Sequence, residues 1–301
     1  MFLDGVGLGP ASAETNPLAR YDYPALNQLA GNHDWTRNAP ALQNATQIFL
    51  PVDANLDVKG LPQSGTGQAS LFSGINCAEI AGRHYGPYPH STSKPVLAEH
   101  NVFVQLRGKD LPKERLVFAN AYPERFFVHA WERKRWTVTT LCCRQADVRL
   151  RTAADLLEGT AISAGITNER WQEKLDPSVP DVSEAQAARR IHDLSRAASF
   201  TLFEYYLTDK IGHEQDMDLA HGVLQTIDAF LGHLLDLIDN TRDLLLISSD
   251  HGNIEDLSTK SHTRYPVPLV AYGAGAEAFA DATSILDVTP RIVDLVAAQN
   301  K

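Results

Sequence analysis

The chain has 301 residues, 44% hydrophobic and 21% charged, with a formal net charge of −10 and a pI near 5.5. That length and composition fit one large α/β domain, or a core domain with a smaller insert, and exclude disorder as the main state. The acidic balance excludes a global basic field for nucleic acid, so an anionic substrate has to be met by metal ions or by a few local Arg and Lys.

In chain order, Phe2-Leu3-Asp4 reads as the end of a strand, short against the usual five or six residues or so, with 5–10 as the loop after it. Residues 23–30 have the spacing of a short helix and 47–52 read as a strand. A Gly-rich turn at 63–68 leads into helical turns over 69–74. From about Tyr85 the character changes: Pro and His cluster at 86–90, strands are expected at 116–120 and 136–141, and a basic aromatic run, 126–136, lies between them. Residues 177–181 read as a linker, and a helical pattern starts at Ser183. Residues 200–207, apolar and aromatic without Gly or Pro, read as a buried strand running up to Asp209. A long amphipathic helix at 219–238, a buried strand at 243–249 ending at Asp250, a third strand at 268–272 and a closing helix at 288–298 complete the chain.

Buried apolar strands alternating with helices predict an α/β fold with a mostly parallel sheet covered by helices on both faces. In such sheets ligands bind beyond the carboxyl ends of the strands, and Asp4, Asp209 and Asp250 fall at three such ends. The three cysteines, Cys77, Cys142 and Cys143, are odd in number, include an adjacent pair and have no Cys-x-x-Cys spacing; free thiols in a reducing cytoplasm are expected. The N-terminus carries no signal-peptide features, and no stretch approaches the roughly 20 apolar residues of a membrane span.

Asp209-Lys-Ile-Gly-His213 offers a carboxylate and an imidazole at i and i+4, which face the same way in a helical turn. Asp250-His251-Gly252-Asn253 follows a hydrophobic strand directly, and His262 lies just before the next one. Each alone matches a helix cap or a packed histidine equally well; jointly they form a mixed Asp and His set suited to zinc or manganese. Ser64-Gly-Thr-Gly-Gln68 has the form of a nucleophile turn at a helix N-terminus, where a phosphoryl group gains backbone N–H donors. A bound metal would activate the hydroxyl; Thr66 and Ser70 are competing hydroxyls. Arg83 is a candidate phosphate clamp, and the basic run 133–135 reads as a solvated face, with an anion site as the alternative.

These pieces, in this order, resemble the alkaline phosphatase superfamily, especially its cofactor-independent phosphoglycerate mutase and phosphopentomutase branch. Phe-Leu-Asp4-Gly-Val-Gly looks like the opening metal-ligand strand, Asp209-Lys-Ile-Gly-His213 is similar to the Asp-x-x-Gly-His element, and Asp250-His-Gly-Asn-Ile-Glu255 with His262-Thr263 is the most specific match. The likeness covers about 1–85 and 200–300. It implies a metal-binding core made of 1–85 and 195–301 and an inserted cap or substrate region at 86–194. It also implies two divalent ions, Mn2+ or Zn2+: one held by Asp209, His213 and His262, the second by Asp4, Asp250 and His251. The distance from Ser64 to Leu71-Phe-Ser-Gly74 resembles that between nucleophile and Leu-x-Thr-Gly in the superfamily, and that register selects Ser64 over Thr66. Gln68 stands where the mutases carry a His, and the insert is shorter than theirs. The resemblance therefore implies a phosphatase or phosphomutase acting on a small phosphorylated metabolite through a phosphoserine. A phosphodiesterase or other ester hydrolase on the same core, and a non-catalytic metal-binding protein, are the alternatives.

Overall fold

The computed structural model describes residues 1–300. Its strands follow the apolar runs: β1 (Phe2–Leu3), β2 (Leu42–Gln43), β3 (Gln47–Val52), β4 (Leu116–Phe118), β5 (Ala121–Tyr122), β6 (Arg151–Thr152), β7 (Phe200–Leu202), β8 (Glu204–Tyr205), β9 (Leu244–Ser249) and β10 (Val267–Gly273). The main sheet has the order β2-β3-β10-β9-β1-β8, while β4 pairs with β7 and β5 with β6.

The two-residue β1 lies inside the main sheet. Phe2 pairs with Glu204 of β8 and with Ser248 of β9, both in parallel. β10 runs antiparallel to β9 and to β3, and β2 antiparallel to β3. It follows that β3, β9, β1 and β8 share one direction while β10 and β2 oppose it. The sheet is mixed: four of its six strands share one direction, the parallel majority that the alternation of strands and helices predicts, and β10 and β2 make its antiparallel pairings. One edge therefore collects the carboxyl ends of β3, β9, β1 and β8 together with the amino end of β10.

Side chains alternate across the sheet, as the pleat dictates. Phe2, Ile48, Leu50, Leu269 and Ala271 face one apolar cluster with Leu71, Phe72 and Val293. Leu3, Phe49, Ile247 and Val270 face the other, with Leu26, Ile227 and Phe230. The first layer holds the Ser64–Ser73 and Val288–Gln299 helices, the second the Pro24–Leu29, Glu184–Arg196 and Met217–Leu235 helices. Leu97, Val102, Phe103, Val138 and Cys142, from the middle of the chain, pack into the first cluster. A small third cluster gathers Ala121, Leu156, Ala161, Trp171 and Val179.

Three local expectations change. Residues 136–141 are not a strand: Thr137 caps a helix, Val138–Gln145, its Oγ1 accepting from Thr140 N. The β-branched run suggests extended backbone, but Val138, Leu141 and Cys142 fall at i, i+3 and i+4, the spacing of a buried helix face. The Gly-rich segment after Gln63 is already helical from Ser64 onward. The 200–207 strand breaks at Phe203, because β7 pairs with β4 while β8 pairs with β1; Asp209 then sits in the helix Leu207–Gly212. The three cysteines are buried and unbonded, and among the described residues no helix is long and apolar enough to cross a membrane.

Candidate metal centre

Four chain segments meet at that one sheet edge. β1 ends at Asp4 and β9 at Asp250-His251. The Leu207–Gly212 helix carries Asp209 in its first turn and His213 at its C-cap. β10, reversed, brings the loop holding His262 to the same edge. Ser64 opens the helix that follows β3. Close approach is built in: Gly5 has φ +69°, and a Cβ there would lie 2.8 Å from Asp209 Cα. A side chain at that position is strained and would push β1 away from the Asp209 helix.

The hydroxyl of Ser64 lies 3.0 Å from His251 Nε2. The same nitrogen is 3.4 Å from Asp4 Oδ1 and 3.5 Å from Asp250 Oδ2. On the other side, His262 Nε2 is 3.3 Å from Asp209 Oδ1, His213 Nε2 is 3.5 Å from Asp209 Oδ2, and the two Nε2 atoms are 3.2 Å apart. The His251 and His262 rings stack at 3.8 Å. The atoms that converge most tightly form two triads, Asp4 with Asp250 and His251, and Asp209 with His251 and His262, each within 4.8 Å. His251 is common to both, and His213, half exposed, stands beside the second.

Each imidazole has its other nitrogen at a backbone carbonyl: Nδ1 of His213 at Lys260 O (2.7 Å), of His262 at Pro62 O (2.7 Å) and of His251 at Gly252 O (3.3 Å). An N–H donated outward leaves each Nε2 lone pair turned inward, the arrangement of metal-ligating histidines. Two such lone pairs at 3.2 Å repel unless a proton or cation lies between them. The carboxylates make the same demand. Asp4 Oδ1 and Asp250 Oδ2 are buried without a hydrogen-bond partner among the described residues, an arrangement of high energy unless a cation or a proton meets them. The donor set thus fits divalent cations.

Titration follows from this crowding. Burial, then the neighbouring charges of Asp250 and Asp209, pushes Asp4 well above the usual carboxylate range. Burial, then the charge of Asp209, raises Asp250 to about 7. Burial, then His262, lowers His251 to about 3, so it is neutral at neutral pH. Burial opposes it, but hydrogen bonds with His213 and His262 hold Asp209 far below its ordinary value. His213 is raised, chiefly by its hydrogen bond with Asp209.

All seven residues expected at the site are therefore brought together. Of the competing hydroxyls, Thr66 Oγ1 is engaged with the backbone of Tyr85 and Gln63, and Ser70 Oγ accepts from Cys77 N at 2.9 Å. Arg83 is not at this cluster; it lines a separate cavity, its guanidinium carbon 5.7 Å from the Tyr85 ring centroid. The supporting roles of three residues named in the motifs were not legible in the sequence. Gln68 Nε2 donates to Asp4 Oδ2 at 3.0 Å. Asn253 Nδ2 donates to Asp209 Oδ1 at 2.7 Å and to its carbonyl at 3.0 Å. Buried Glu255 accepts from Gly7 N (2.9 Å), Asn253 N (2.7 Å) and the Thr263 hydroxyl, tying the β1, β9 and β10 loops together. Glu255 sits inside the Asp250-His-Gly-Asn-Ile-Glu255 motif, but no spacing signals which donors it would meet.

Comparison with known proteins places this geometry. A 2,3-bisphosphoglycerate-independent phosphoglycerate mutase of Acaryochloris marina is 32% identical over 117 residues, 34% of this chain and 22% of that protein. One of Desulforudis audaxviator is 31% identical over 136 residues, 40% of this chain and 26% of that protein. The matched stretches thus span about a quarter of these relatives' length. Among solved structures, a Pyrococcus horikoshii protein superposes with TM-score 0.57 at 14% identity, covering 98% of this chain and 96% of that one. A cold-active alkaline phosphatase from a psychrophilic Shewanella does so with TM-score 0.56 at 11% identity, covering 98% of each chain. At such identity these two establish the fold. The profile of a family described as the Metalloenzyme superfamily matches residues 1–300, and with that match and this cluster the chain belongs to the Metalloenzyme superfamily.

Proposed function

We propose that this protein is a metal-dependent phosphoryl-transfer enzyme, a phosphatase or phosphomutase, acting on a small phosphorylated metabolite through a phosphoserine on Ser64. The observation that carries the reading is the 3.0 Å approach of the Ser64 hydroxyl to His251 Nε2, with the Asp4, Asp250 and Asp209 carboxylates around it. A hydroxyl at a helix start, facing imidazole lone pairs and unpartnered carboxylates, suits phosphoryl transfer rather than passive metal storage.

Asp209, His213 and His262 would hold one divalent ion, and Asp4, Asp250 and His251 a second; because the two triads adjoin at His251, the two ions would be neighbours. When bound, such ions offset the negative charge of a phosphoryl group and make the serine hydroxyl more acidic. Mixed carboxylate and imidazole donors suit manganese or zinc. The residues of the chain do the rest. Ser64 Oγ releases its proton to solvent and forms a bond to phosphorus, as the bond from phosphorus to the substrate's ester oxygen breaks and that oxygen takes up a proton from solvent. The helix beginning at Ser64 directs its positive end toward the transferred group. Water, or a second hydroxyl of the substrate, then displaces Ser64 and restores it, giving hydrolysis in the first case and mutase chemistry in the second. The core of 1–85 and 195–301 supplies the metal-binding edge, and the 86–194 segment the substrate-facing surface.

The test is hydrolysis of an aryl phosphate with manganese or zinc, and a panel of phosphorylated metabolites followed for both phosphate release and isomer formation. Ser64→Ala should lower turnover by about a thousandfold or more. Absence of turnover on any phosphate ester, or full activity in Ser64→Ala, overturns the reading.

A further inference from the structure

Against the Ser64 helix lies a cavity of about 430 Å³ whose walls come from two distant segments, Arg83 to Lys94 and Lys134 to Leu141. Its lining contains Arg83, Lys94, Lys134 and Arg135, together with His90, and no carboxylate. None of the four Arg and Lys side chains is in an ion pair among the described residues. In a chain of net charge −10, a concave surface with uncompensated positive charge concentrates anions, because low-dielectric walls focus the field.

The cavity is tied to the nucleophile. Tyr85 exchanges hydrogen bonds with Thr66, which donates from its N–H to Tyr85 O at 2.8 Å and accepts from Tyr85 N at 3.0 Å. Tyr88 O is so close to Gly65 that a Cβ there would lie 2.1 Å from it. These two tyrosines, which line the cavity, thus rest on the two residues that follow Ser64. Their rings in turn carry the cations: Arg83 over Tyr85 at 5.7 Å and Arg135 over Tyr88 at 5.0 Å. Cation–π contact orients a guanidinium without neutralising it, leaving its N–H donors for a ligand.

We propose that this cavity binds a second anionic group of the substrate, so that the substrate class is a small phosphorylated metabolite carrying a further carboxylate or phosphate. The proposal rests on the phosphoryl-transfer reading of Ser64 and deepens it: the ester phosphate sits at the metal cluster, and the second anion at the Arg83–Arg135 cavity. It also gives the 86–194 segment its role, since His90, Lys94, Lys134 and Arg135 all lie within it.

Three substrates separate the possibilities: p-nitrophenyl phosphate, an aryl phosphate bearing a carboxylate, and one bearing a second phosphate, each assayed with manganese on the wild type and on Arg135→Gln and Lys134→Gln. The expected result is that at least one doubly anionic substrate is preferred by the wild type, and that its kcat/KM relative to p-nitrophenyl phosphate falls tenfold or more in the variants, through KM. Whichever of the two is preferred identifies the second group as carboxylate or phosphate. A relative kcat/KM unchanged by both substitutions overturns the proposal. Failure of the catalytic reading gives a different signature, no turnover of any ester by the wild type. In that case titration with pyrophosphate and with a dicarboxylate decides, following the fluorescence of Trp136, which lines the cavity. Binding weakened tenfold in the variants upholds the anion site, and equal or absent binding overturns it. Both substituted side chains are exposed, and circular dichroism at matched concentration verifies folding.

Discussion

At the scale of single residues, the site is defined by which polar atoms have partners. His262 holds its Nδ1 on Pro62 O and turns Nε2 toward Asp209 and His213. His262→Ala should therefore lower the metal content measured by elemental analysis after dialysis against a limiting metal buffer; unchanged content would remove His262 from the ligand set. Glu204, on β8, is a buried carboxyl of a different kind. It accepts from Thr139 Oγ1 at 2.6 Å, and burial raises it from 4.5 to about 7. A folded-state pKa above the unfolded one means that the folded state holds the proton more tightly. The resulting stabilisation is full below about pH 4.5 and is lost as pH rises through about 7, up to about 3 kcal/mol. Urea midpoints should fall from pH 5 to pH 8 in the wild type and stay flatter in Glu204→Gln, which is neutral at both; equal slopes for the two proteins would place the titration elsewhere.

At the scale of elements, packing and capping share the control. The Ser64–Ser73 helix is Gly-rich and buried at every position. Its propensity is poor, and its contacts with Phe2 of β1, with the Val288–Gln299 helix and with the Tyr85–Tyr88 segment hold it; this is why a Gly-rich turn was expected where a helix starts. The Glu184–Arg196 helix is the opposite case. Ser183 accepts from Gln186 N while Gln186 Oε1 accepts from Ser183 N at 3.0 Å, a reciprocal cap written into local sequence. Ser183→Ala should lower stability by about 1 kcal/mol, read as a shift in urea midpoint at constant slope; a shift below a quarter of that would mean the cap contributes nothing here. The 136–141 segment shows the limit of local signals: four β-branched residues in a row suggested a strand, and Thr137 acting as N-cap made it a helix.

At the scale of the whole molecule, Asp4, Asp209, Asp250 and the three imidazoles come from segments at both ends of the chain, and cations would bind them only in the folded state. Ligand linkage then requires metal to raise stability, by about 2.7 kcal/mol for a site filled at a hundred times its dissociation constant. The unfolding temperature should fall on treatment with a chelator and recover with manganese or zinc. A temperature indifferent to both would show that the cluster holds no ion with useful affinity.

The sequence by itself determined the strands that matter, because apolar runs such as 47–52, 243–249 and 268–272 have nowhere to go but a buried sheet, and it named the seven polar residues beside them. It also carried the family resemblance, since a motif is a local pattern of residue types. The tertiary structure alone decided the rest: that β10 runs backward and so brings His262 to the same edge as Asp4 and Asp250, that His251 sits in both triads, that Gln68 holds the Asp4 carboxylate and Glu255 the loops around it, and that Arg83 and Arg135, distant in sequence, face one cavity. Strand direction, register and the meeting of distant segments are set by how two apolar layers close over the sheet, and no local window of sequence contains that information.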